Sequence, residues 1–421
     1  MEAYNVVMTR LGSKERTIFH MDGDAFFVGV EVAKNPKLRG LPVVTGEERG
    51  IVSALSYEAK ALGIIRGMPI FRVKKNFPKV IILPGDYASY ARYSSQMFDI
   101  VRRYADDVEE YSIDECFADL TGLSRSLKMT PKEIALRIKR EVNQELDLSV
   151  SIGLAPTKVL AKVASKWVKP NGLTEILKSD IANFLIKTPI EKIWGIGPKT
   201  AEFLKRKNIL TAQDFVSKSS VWIKENLSKP YETIWLELRG EHILEIDPIL
   251  KTVYSSIQKT RSFHPATNDK TFLLSRFSKN IEDACAKARH YKLVSKKIYF
   301  FLKTVDFKCE SYTISLSSPS NVPEIPIALI KKNLNKIYKD KILYRTTGVV
   351  LQELAPDSEV QTDLFGDTEG THKLELIHKQ IDSLEDKFGK RVVYLGSTHK
   401  ALKQKGLGTE PDDEDRNLLF L

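Results

Sequence analysis

Cysteine is scarce in this 421-residue chain, and its three cysteines, Cys116, Cys285 and Cys309, lie far apart with no C-x-x-C pair. This spacing argues against a disulfide framework and against a structural zinc site, and it fits a reducing cytoplasm. The chain has no apolar run of the roughly 18 residues that a bilayer-spanning helix needs. Its first 16 residues also lack the apolar stretch of a secretory signal peptide. We therefore expect neither secretion nor membrane insertion.

Positive charge is what the chain has in excess, and it is unevenly distributed. The net charge is +11, and 42% of the residues are hydrophobic, as in a folded globular protein. Residues 254–355 contain 18 Lys and Arg against 8 Asp and Glu, a net charge of +10, whereas residues 1–253 carry +6 and residues 356–421 carry −5. This basic block predicts a polyanionic partner such as nucleic acid, although an idle basic surface would have the same composition.

The chain is long enough for about two to four domains, and its pattern changes along its length. Strand and helix signals alternate over residues 17–170, which predicts an α/β or α+β unit with a central sheet. Residues 177–245 are typical of short helices. The basic block predicts a β-α-β-β-α-β order, which gives one sheet and two helices. Its elements are expected at 255–264 (strand), 271–293 (helix), 298–305 and 311–316 (strands), 326–338 (helix) and 346–354 (strand).

Three carboxylates stand at the ends of predicted strands. Asp22 follows the apolar strand Thr17–Met21, and Asp114 and Glu115 lie at a junction between two strands. Such charges are costly inside an apolar unit unless they hold a cation, and Mg²⁺ prefers carboxylate oxygens. The pattern alone is weak, because Asp and Glu are also common in turns.

Four motifs occur in an order that resembles the Y-family translesion DNA polymerases, in their bacterial DinB and UmuC branch. They are His20–Phe27 (HMDGDAFF), Ser56–Lys60 (SYEAK), Tyr111–Cys116 (YSIDEC) and Lys169–Gly172 (KPNG). The resemblance runs from about Thr17 to Leu354. It implies an α+β multidomain, right-hand polymerase with a ferredoxin-like palm, small fingers, a helical thumb and a β-α-β-β-α-β little finger. The expected boundaries are 1–25 and 86–176 (palm), 26–85 (fingers), 177–245 (thumb), 246–253 (linker), 254–355 (little finger) and 356–421 (tail).

The resemblance also implies the reaction, which is attack of a primer 3′-hydroxyl on the α-phosphorus of a dNTP. Asp22, Asp114 and Glu115 would be the catalytic carboxylates and would bind two Mg²⁺ ions, with the backbone carbonyl of Gly23 as a further ligand. Phe27 would exclude the 2′-hydroxyl of ribonucleotides as a steric gate. The full set of expected nucleotide-binding residues is Phe26, Phe27, Tyr57, Lys60 and Lys169.

This sequence departs from the family pattern at three positions near the expected active site. Lys60 stands where the family usually has Arg, and Lys lacks the planar bidentate fork of a guanidinium. Ala54 replaces a residue that often carries a hydroxyl, and Gly23 replaces a bulkier one. Asp24 would share a strand face with Asp22, and the resemblance gives it a structural role.

Two regions are expected to hold DNA. Residues 193–200 (IWGIGPKT) resemble a helix–hairpin–helix, in which Gly195, Gly197 and Lys199 would let backbone N–H groups and a cation approach a phosphate. The basic block would be the little finger, with Lys259, Arg261 and Ser262 on backbone phosphates. The aromatic run at 298–302 is expected to be sheet core rather than a base-stacking platform.

The tail contains a short peptide that resembles the one bacterial replication proteins insert into the sliding clamp. Its expected contacts come from Gln361, Asp363, Leu364 and Phe365, with the Leu-Phe pair filling an apolar pocket. An amphipathic helix is expected over Leu374–Phe388.

The first interpretation is a low-fidelity DNA polymerase that extends a primer across damaged template. We expect it to be a cytoplasmic monomer that binds primer-template DNA, dNTPs and the sliding clamp, with UmuD-like and recombinase proteins as further candidate partners. A polymerase-like adaptor that binds DNA and clamp without catalysis is the second interpretation, and Lys60 keeps it open. A nucleotide cyclase is the third, because a palm-type sheet with paired carboxylates can serve that chemistry.

Overall fold

The structure, a computed structural model, describes residues 16–249, 254–359, 368–388 and 391–403, with side chains from 373 onward in the third range. The predicted clamp peptide at 361–365 and the terminal residues 417–421 lie outside the described residues. The chain forms two compact units, one from most of the residues up to 250 and one from most of those after it. Within the described ranges, no helix is long and apolar enough to cross a membrane.

Twelve strands are named here in chain order. They are β1 (Ile18–Gly23), β2 (Val43–Thr45), β3 (Ala54–Leu55), β4 (Ile81–Leu83), β5 (Val108–Ser112), β6 (Glu115–Asp119), β7 (Val150–Ala155), β8 (Leu173–Glu175), β9 (Ser256–Thr267), β10 (Leu293–Thr304), β11 (Cys309–Ser320) and β12 (Tyr344–Pro356).

The α-helices of the described ranges are named in the same way. They are α1 (Phe26–Lys34), α2 (Tyr57–Ala61), α3 (Ile70–Asn76), α4 (Tyr87–Arg102), α5 (Ser124–Leu127), α6 (Pro131–Leu146), α7 (Lys158–Ser165), α8 (Ile181–Lys187), α9 (Pro198–Arg206), α10 (Ala212–Val216), α11 (Ser220–Asn226), α12 (Lys229–Leu238), α13 (Lys270–His290), α14 (Glu324–Asn333), α15 (Thr368–Phe388) and α16 (His399–Lys403).

A five-stranded sheet in the order β5-β6-β1-β7-β8 forms the centre of the first unit. Every residue of β1 and β7 is buried, because helices cover both faces of the sheet. Helices α4 and α6 pack in the core on one face, and α7 lies against β7 on the other. Gly153 permits this close approach, since a Cβ at that position would lie 2.1 Å from the carbonyl oxygen of Ala161. The predicted central sheet is confirmed.

Two smaller substructures complete the first unit. A three-stranded sheet in the order β3-β2-β4 carries α2, whose N-cap Ser56 accepts a hydrogen bond from the Ala59 amide at 3.1 Å. Helices α8 to α12 share a core with α7. Buried Glu237 of α12 accepts the backbone N–H of Val159 at 3.2 Å and that of Leu244 at 2.8 Å. These bonds tie the helical segment to the start of α7.

A four-stranded antiparallel sheet in the order β11-β10-β12-β9 forms the second unit, and α13 and α14 pack on one of its faces. The predicted β-α-β-β-α-β order is confirmed. Strand alternation turns Ile298 and Phe300 toward the helices, where both are buried in the core. Tyr299 and Phe301 belong to the opposite face, where the Phe301 ring lies against Gly348 and leaves no room there for a Cβ. The aromatic run therefore serves two faces.

Helix α15 confirms the predicted amphipathic helix but begins at Thr368 rather than Leu374. Asp382 accepts two hydrogen bonds from Arg289 of α13, at 2.6 and 2.7 Å. His378 lies 2.9 Å from the carboxylate of Glu324. Arg391 has a side chain only 2% exposed. Its guanidinium lies within 4.0 Å of four carboxylates, those of Glu282, Asp283, Asp382 and Glu385.

Candidate active site

Asp22 and Glu115 face each other across the two central strands. The antiparallel register pairs Asp22 of β1 directly with Glu115 of β6, so that both side chains leave the same face of the sheet. On its other side Asp22 is paired with Ser151 of β7. The adjoining ends of β1 and β6 thus carry two acidic side chains side by side.

Asp114 joins this strand end through the turn between β5 and β6. Its carbonyl oxygen accepts the Gly23 N–H at 2.8 Å, which holds the turn against the end of β1. Its carboxylate accepts the Ser112 hydroxyl at 2.8 Å. The three predicted catalytic carboxylates are therefore brought to one edge.

These carboxylates line a cleft of about 500 Å³. Its walls also include Phe26, Phe27 and Lys169 of the predicted nucleotide-binding set, together with two cations that were not predicted. The other two predicted residues, Tyr57 and Lys60, line an adjoining depression instead. The residues that line the cleft include Asp22, Gly23, Phe26, Phe27, Ala54, Arg66, Asp114, Glu115, Lys166 and Lys169.

Burial and mutual repulsion govern the charge state of the carboxylates. Burial raises the pKa of Asp22 to about 7; Lys169 opposes this shift and Glu115 adds to it. Burial likewise raises the pKa of Asp114, against the hydrogen bond from Ser112. Burial also acts to raise the pKa of Glu115, but the Lys162 ammonium outweighs it and holds that pKa below its usual range. The edge thus favours the approach of positive charge.

Lysines of α7 and the segment after it supply positive charge to this edge. Lys158, Lys162, Lys166 and Lys169 follow one another at spacings of four, four and three residues, which is one face of a helix. Lys162 Nζ donates to Glu115 at 2.8 Å, and Lys169 Nζ donates to Asp22. Sequence reasoning found Lys169 from its motif and missed Lys162 and Lys166, although their helical spacing was visible in the sequence.

The donor set at this edge suits a hard divalent cation. It consists of three carboxylates, and Gly23, whose carbonyl was predicted as a further ligand, lines the same cleft. Across the described ranges, however, no three acidic, His or Cys side chains are arranged around a common point as metal ligands. Each of two of these carboxylates has a lysine partner, Lys162 on Glu115 and Lys169 on Asp22. The residues present fit a divalent metal chemically.

Phe27 is held rigidly on the wall of the cleft. Its ring stacks on Tyr90 at a centroid distance of 4.3 Å and an interplanar angle of 10°, and it meets Tyr87 edge-on at 5.8 Å. The hydroxyl of Tyr90 donates to Glu31 at 2.8 Å, which fixes the supporting ring. Phe26 is by contrast 4% exposed and mainly a core residue.

The Gly23 departure is linked to the position of Phe26. A Cβ at Gly23 would lie 3.1 Å from Cδ2 of Phe26, closer than side chains ordinarily pack. A larger residue would require the Phe26 ring to shift by a few tenths of an ångström.

Asp24 is the centre of a buried hydrogen-bond cluster. It accepts the hydroxyls of Ser149 and Ser151 and the backbone N–H of Asn171, each at 2.8 Å. The hydroxyl of Tyr57 also donates to it at 3.4 Å. Asp24 thereby ties Tyr57 and the loop after Lys169 to the sheet, which agrees with its predicted structural role.

Arg66, which sequence reasoning missed, lines the carboxylate cleft, whereas Lys60 lies in a neighbouring depression of about 330 Å³ that Arg66 also borders. Arg66 Nε donates to the Ser53 carbonyl at 2.7 Å. Lys60 is exposed and its Nζ lies 5.9 Å from the centroid of the Tyr57 ring. Only knowledge of the fold around Ala54 could have shown that Arg66 reaches the cleft.

The predicted hairpin forms a tight turn before α9. Gly195 has φ of +88°, a conformation that favours glycine, and a Cβ there would lie 2.6 Å from Cδ1 of Ile234. Gly197 is the N-cap residue of α9, with open space around its Cα, and Lys199 is exposed. The helix N-terminus and the cation lie together at the surface.

Strand alternation divides the three residues that were predicted on β9. Lys259 and Arg261 lie on the same face of β9 as the buried residues Ile257 and Phe263, which is the face that bears α13. Ser262 belongs to the opposite face, where its hydroxyl lies 2.8 Å from that of Thr346. The three do not form one surface, although β9 is an edge strand from which side chains of either face can reach a ligand.

Three family models match this chain. The impB/mucB/samB family model matches residues 21–166, its C-terminal domain model matches residues 254–364, and the IMS family HHH motif model matches residues 178–209. Among curated proteins, the chain is 31% identical over 407 residues to DNA polymerase IV 1 of Bacillus subtilis (strain 168), covering 94% of this chain and 96% of that protein. It is 32% identical over 355 residues to a DNA polymerase IV of Streptococcus pyogenes serotype M3, covering 82% and 94%.

Solved structures show the same similarity. A Y-family DNA polymerase chimera of Dbh and Dpo4 matches with a TM-score of 0.70 at 25% identity, covering 81% of this chain and 99% of that one. DinB from Sulfolobus solfataricus matches with a TM-score of 0.51 at 26% identity, covering 80% and 98%. An insertion ternary complex of Dbh DNA polymerase matches with a TM-score of 0.53 at 25% identity and the same coverage as the chimera.

Proposed function

Because the chain belongs to the impB/mucB/samB family and is a Y-family DNA polymerase, we propose that the cleft between Asp22 and Glu115 is where it extends a primer strand. The protein is a template-directed translesion DNA polymerase, and its right-hand fold is that of the family. Its reaction depends on divalent metal, as the family implies. None of the relatives named above is a nucleotide cyclase or a non-catalytic adaptor.

The observation that carries this proposal is the pairing of Asp22 with Glu115 across β1 and β6, with Asp114 held beside them. Two acidic side chains that face each other in a buried strand end are stable only with neighbouring positive charge. Lysine supplies that charge here. Burying these carboxylates costs free energy, and binding of cations during phosphoryl transfer is a function that would account for that cost.

Asp22, Asp114, Glu115 and the Gly23 carbonyl would hold two Mg²⁺ ions. When bound, such ions lower the pKa of an attacking hydroxyl and neutralise charge on the leaving pyrophosphate. The chain itself positions the reactants, which supplies much of the catalysis in this class of reaction. Lys169 leaves Asp22 and binds the triphosphate, so that one lysine balances the charge of the carboxylate edge before substrate arrives.

Selection of the nucleotide follows from the walls of the cleft. Phe27, braced by Tyr90, closes the space that a ribose 2′-hydroxyl would need. Tyr57 and Lys169 contact the triphosphate; Asp24 holds Tyr57 and, through the Asn171 N–H, the loop that follows Lys169. Arg66 provides the planar guanidinium that Lys60 lacks, and Lys60 lies in the neighbouring depression. Phe26 supports Phe27 from the core.

DNA is held outside the cleft by two basic regions. Gly195, Gly197 and Lys199 receive a backbone phosphate at the N-terminus of α9. Lys259, Arg261 and Ser262 act along β9 from the two faces of the sheet. The +10 charge of residues 254–355 supplies a binding term that depends strongly on salt and carries little sequence information.

The tail is proposed to bind protein partners. The tail peptide with Gln361, Asp363, Leu364 and Phe365 binds the sliding clamp, and UmuD-like and recombinase proteins are further candidate partners. The proposed domains are the palm (1–25 and 86–176), fingers (26–85), thumb (177–245), linker (246–253), little finger (254–355) and tail (356–421), and the protein acts as a cytoplasmic monomer.

A primer-extension assay tests the proposal. Wild-type protein with primed template, Mg²⁺ and dNTPs should extend the primer, whereas Asp114→Asn should lower the single-turnover rate about 100- to 1,000-fold, the size of loss that removal of one charge-stabilising group causes. DNA binding, measured by fluorescence anisotropy, should stay within twofold of wild type.

Exposed Asp106, in the same unit and outside the cleft, provides a matched control. Asp106→Asn should extend primers at the wild-type rate. Substantial extension by Asp114→Asn, or equal losses in the two variants, would contradict the assignment of the cleft.

A further inference from the structure

Lys162 is a buried cation whose position is set by three neighbours. Its residue is 5% exposed, in the middle of α7, where every residue is buried. Its Nζ donates to Glu115 at 2.8 Å and lies 4.2 Å from the ring centroid of Tyr111 and 5.0 Å from that of Trp194. A buried ammonium needs such partners, and aromatic faces supply part of the stabilisation.

Trp194 completes this cage from the helical segment that contains the hairpin. Its Nε1–H donates to the Tyr111 hydroxyl at 2.9 Å, and the two rings meet edge-on at a centroid distance of 5.2 Å. The ring of Trp194 also lies 5.8 Å from that of Phe117 on β6. The indole therefore contacts the strand that carries Glu115 as well as the lysine that pairs with Glu115.

The hairpin fixes where Trp194 lies. Ile193, before it, is buried in the core that α7 shares with the helical segment, and Gly195, after it, packs against Ile234. A displacement of the hairpin therefore moves the indole wall of the cage. Lysine has a flexible stem and three rotatable donors, so its direction toward Glu115 depends on the walls around it.

We propose that Trp194 is a positioning residue for nucleotide addition. Acting through Lys162, it fixes the Glu115 carboxylate in the orientation that binds metal, and so couples the DNA-contacting hairpin to the catalytic edge. This inference rests on the proposed function of the cleft and adds to it a residue that touches neither substrate nor metal. The coupling depends on the contacts from Trp194 to Lys162 and from Lys162 to Glu115, and it does not depend on the charge of the hairpin.

Binding of Mn²⁺ in the absence of turnover tests the coupling. Full-length protein is mixed with primer-template that ends in a dideoxynucleotide, and bound Mn²⁺ is counted by electron paramagnetic resonance. Trp194→Ala and Lys162→Met should each weaken binding about five- to tenfold, and the double variant should be no weaker than Lys162→Met alone, because the two residues act in series. Trp194→Phe, which keeps an aromatic face but loses the N–H donor, should show a smaller loss of two- to threefold.

Trp222 of α11 provides the matched control, since it is a tryptophan of the same helical segment whose ring lies over Lys218 instead. Trp222→Ala should bind Mn²⁺ as wild type does. Thermal unfolding of each variant shows whether the protein is folded, and DNA affinity should stay within twofold.

Three results would overturn the inference: wild-type Mn²⁺ affinity in Trp194→Ala, additive losses in the double variant, or an equal loss in Trp222→Ala. The proposed function fails separately, if Glu115→Gln itself still extends primers at the wild-type rate.

Discussion

Two single variants, Arg66→Gln and Lys60→Gln, distinguish the contributions of the two cations to dNTP binding. Arg66 lines the cleft that contains the carboxylates, whereas Lys60, at the position of the family motif, lies outside it. The sequence motif alone would rank Lys60 first. The structure ranks Arg66 first, so Arg66→Gln should raise the KM for dNTP more than Lys60→Gln does.

The magnitude follows from the surroundings of each cation. A hydrogen bond to a charged group is worth about 1.5–3 kcal/mol, and the exposure of Arg66 favours the lower end, about 1.5–2 kcal/mol. That range corresponds to a rise of about 10- to 30-fold in KM. Lys60 is exposed and 5.9 Å from the Tyr57 ring centroid, so its loss should cost less than about 1 kcal/mol, or under about fivefold.

The assay is single-nucleotide incorporation under single-turnover conditions over a range of dNTP concentrations. Maximal rates should change little in both variants, because neither side chain touches the reacting carboxylates. A larger rise in KM for Lys60→Gln than for Arg66→Gln would refute the reasoning from the cleft and restore the motif position as the triphosphate contact.

Three further changes test other parts of the molecule. Phe27→Ala should lose about 10- to 200-fold of the preference for dNTP over rNTP, measured as a ratio of kcat/KM values, and an unchanged ratio would exclude the steric gate. Arg391→Met should lower the free energy of unfolding in urea by about 3–5 kcal/mol, since it leaves four carboxylates around an uncharged side chain that is buried; a change below about 1 kcal/mol would show that the cluster is not stabilising. Replacement of Leu364 and Phe365 by Ala should abolish stimulation by the sliding clamp while leaving clamp-free synthesis at the wild-type rate, and retained stimulation would locate the clamp contact elsewhere.

Much of the architecture could be predicted from local patterns. The β-α-β-β-α-β order followed from periodicity, because each of its strands and helices has a clear apolar face. The three carboxylates of the proposed site were predicted from motifs, and the register between Asp22 and Glu115 explains how motifs far apart in the sequence meet in space.

The parts that sequence reasoning missed depend on long-range packing. Lys162 pairs with Glu115 across a packing contact between α7 and the sheet, and Gly153 permits the close approach of α7 to β7. The docking of the tail through Arg391 depends on acidic residues contributed by two helices, and no single segment shows that pattern. The small three-stranded sheet places Arg66 in the cleft. Its strands β2 and β3 have only three and two residues, which is too short for a recognisable strand pattern in the sequence.

The central claim is that Asp22, Asp114 and Glu115 bind the divalent metal on which nucleotide addition depends. The most direct measurement counts the Mn²⁺ ions bound in a complex of protein, dideoxy-terminated primer-template and the next correct dNTP. The account predicts two bound ions in the wild-type complex and a loss of protein-dependent binding when all three carboxylates are replaced by their amides. Equal Mn²⁺ binding by wild type and by that triple variant, with both folded and both bound to DNA, would contradict it.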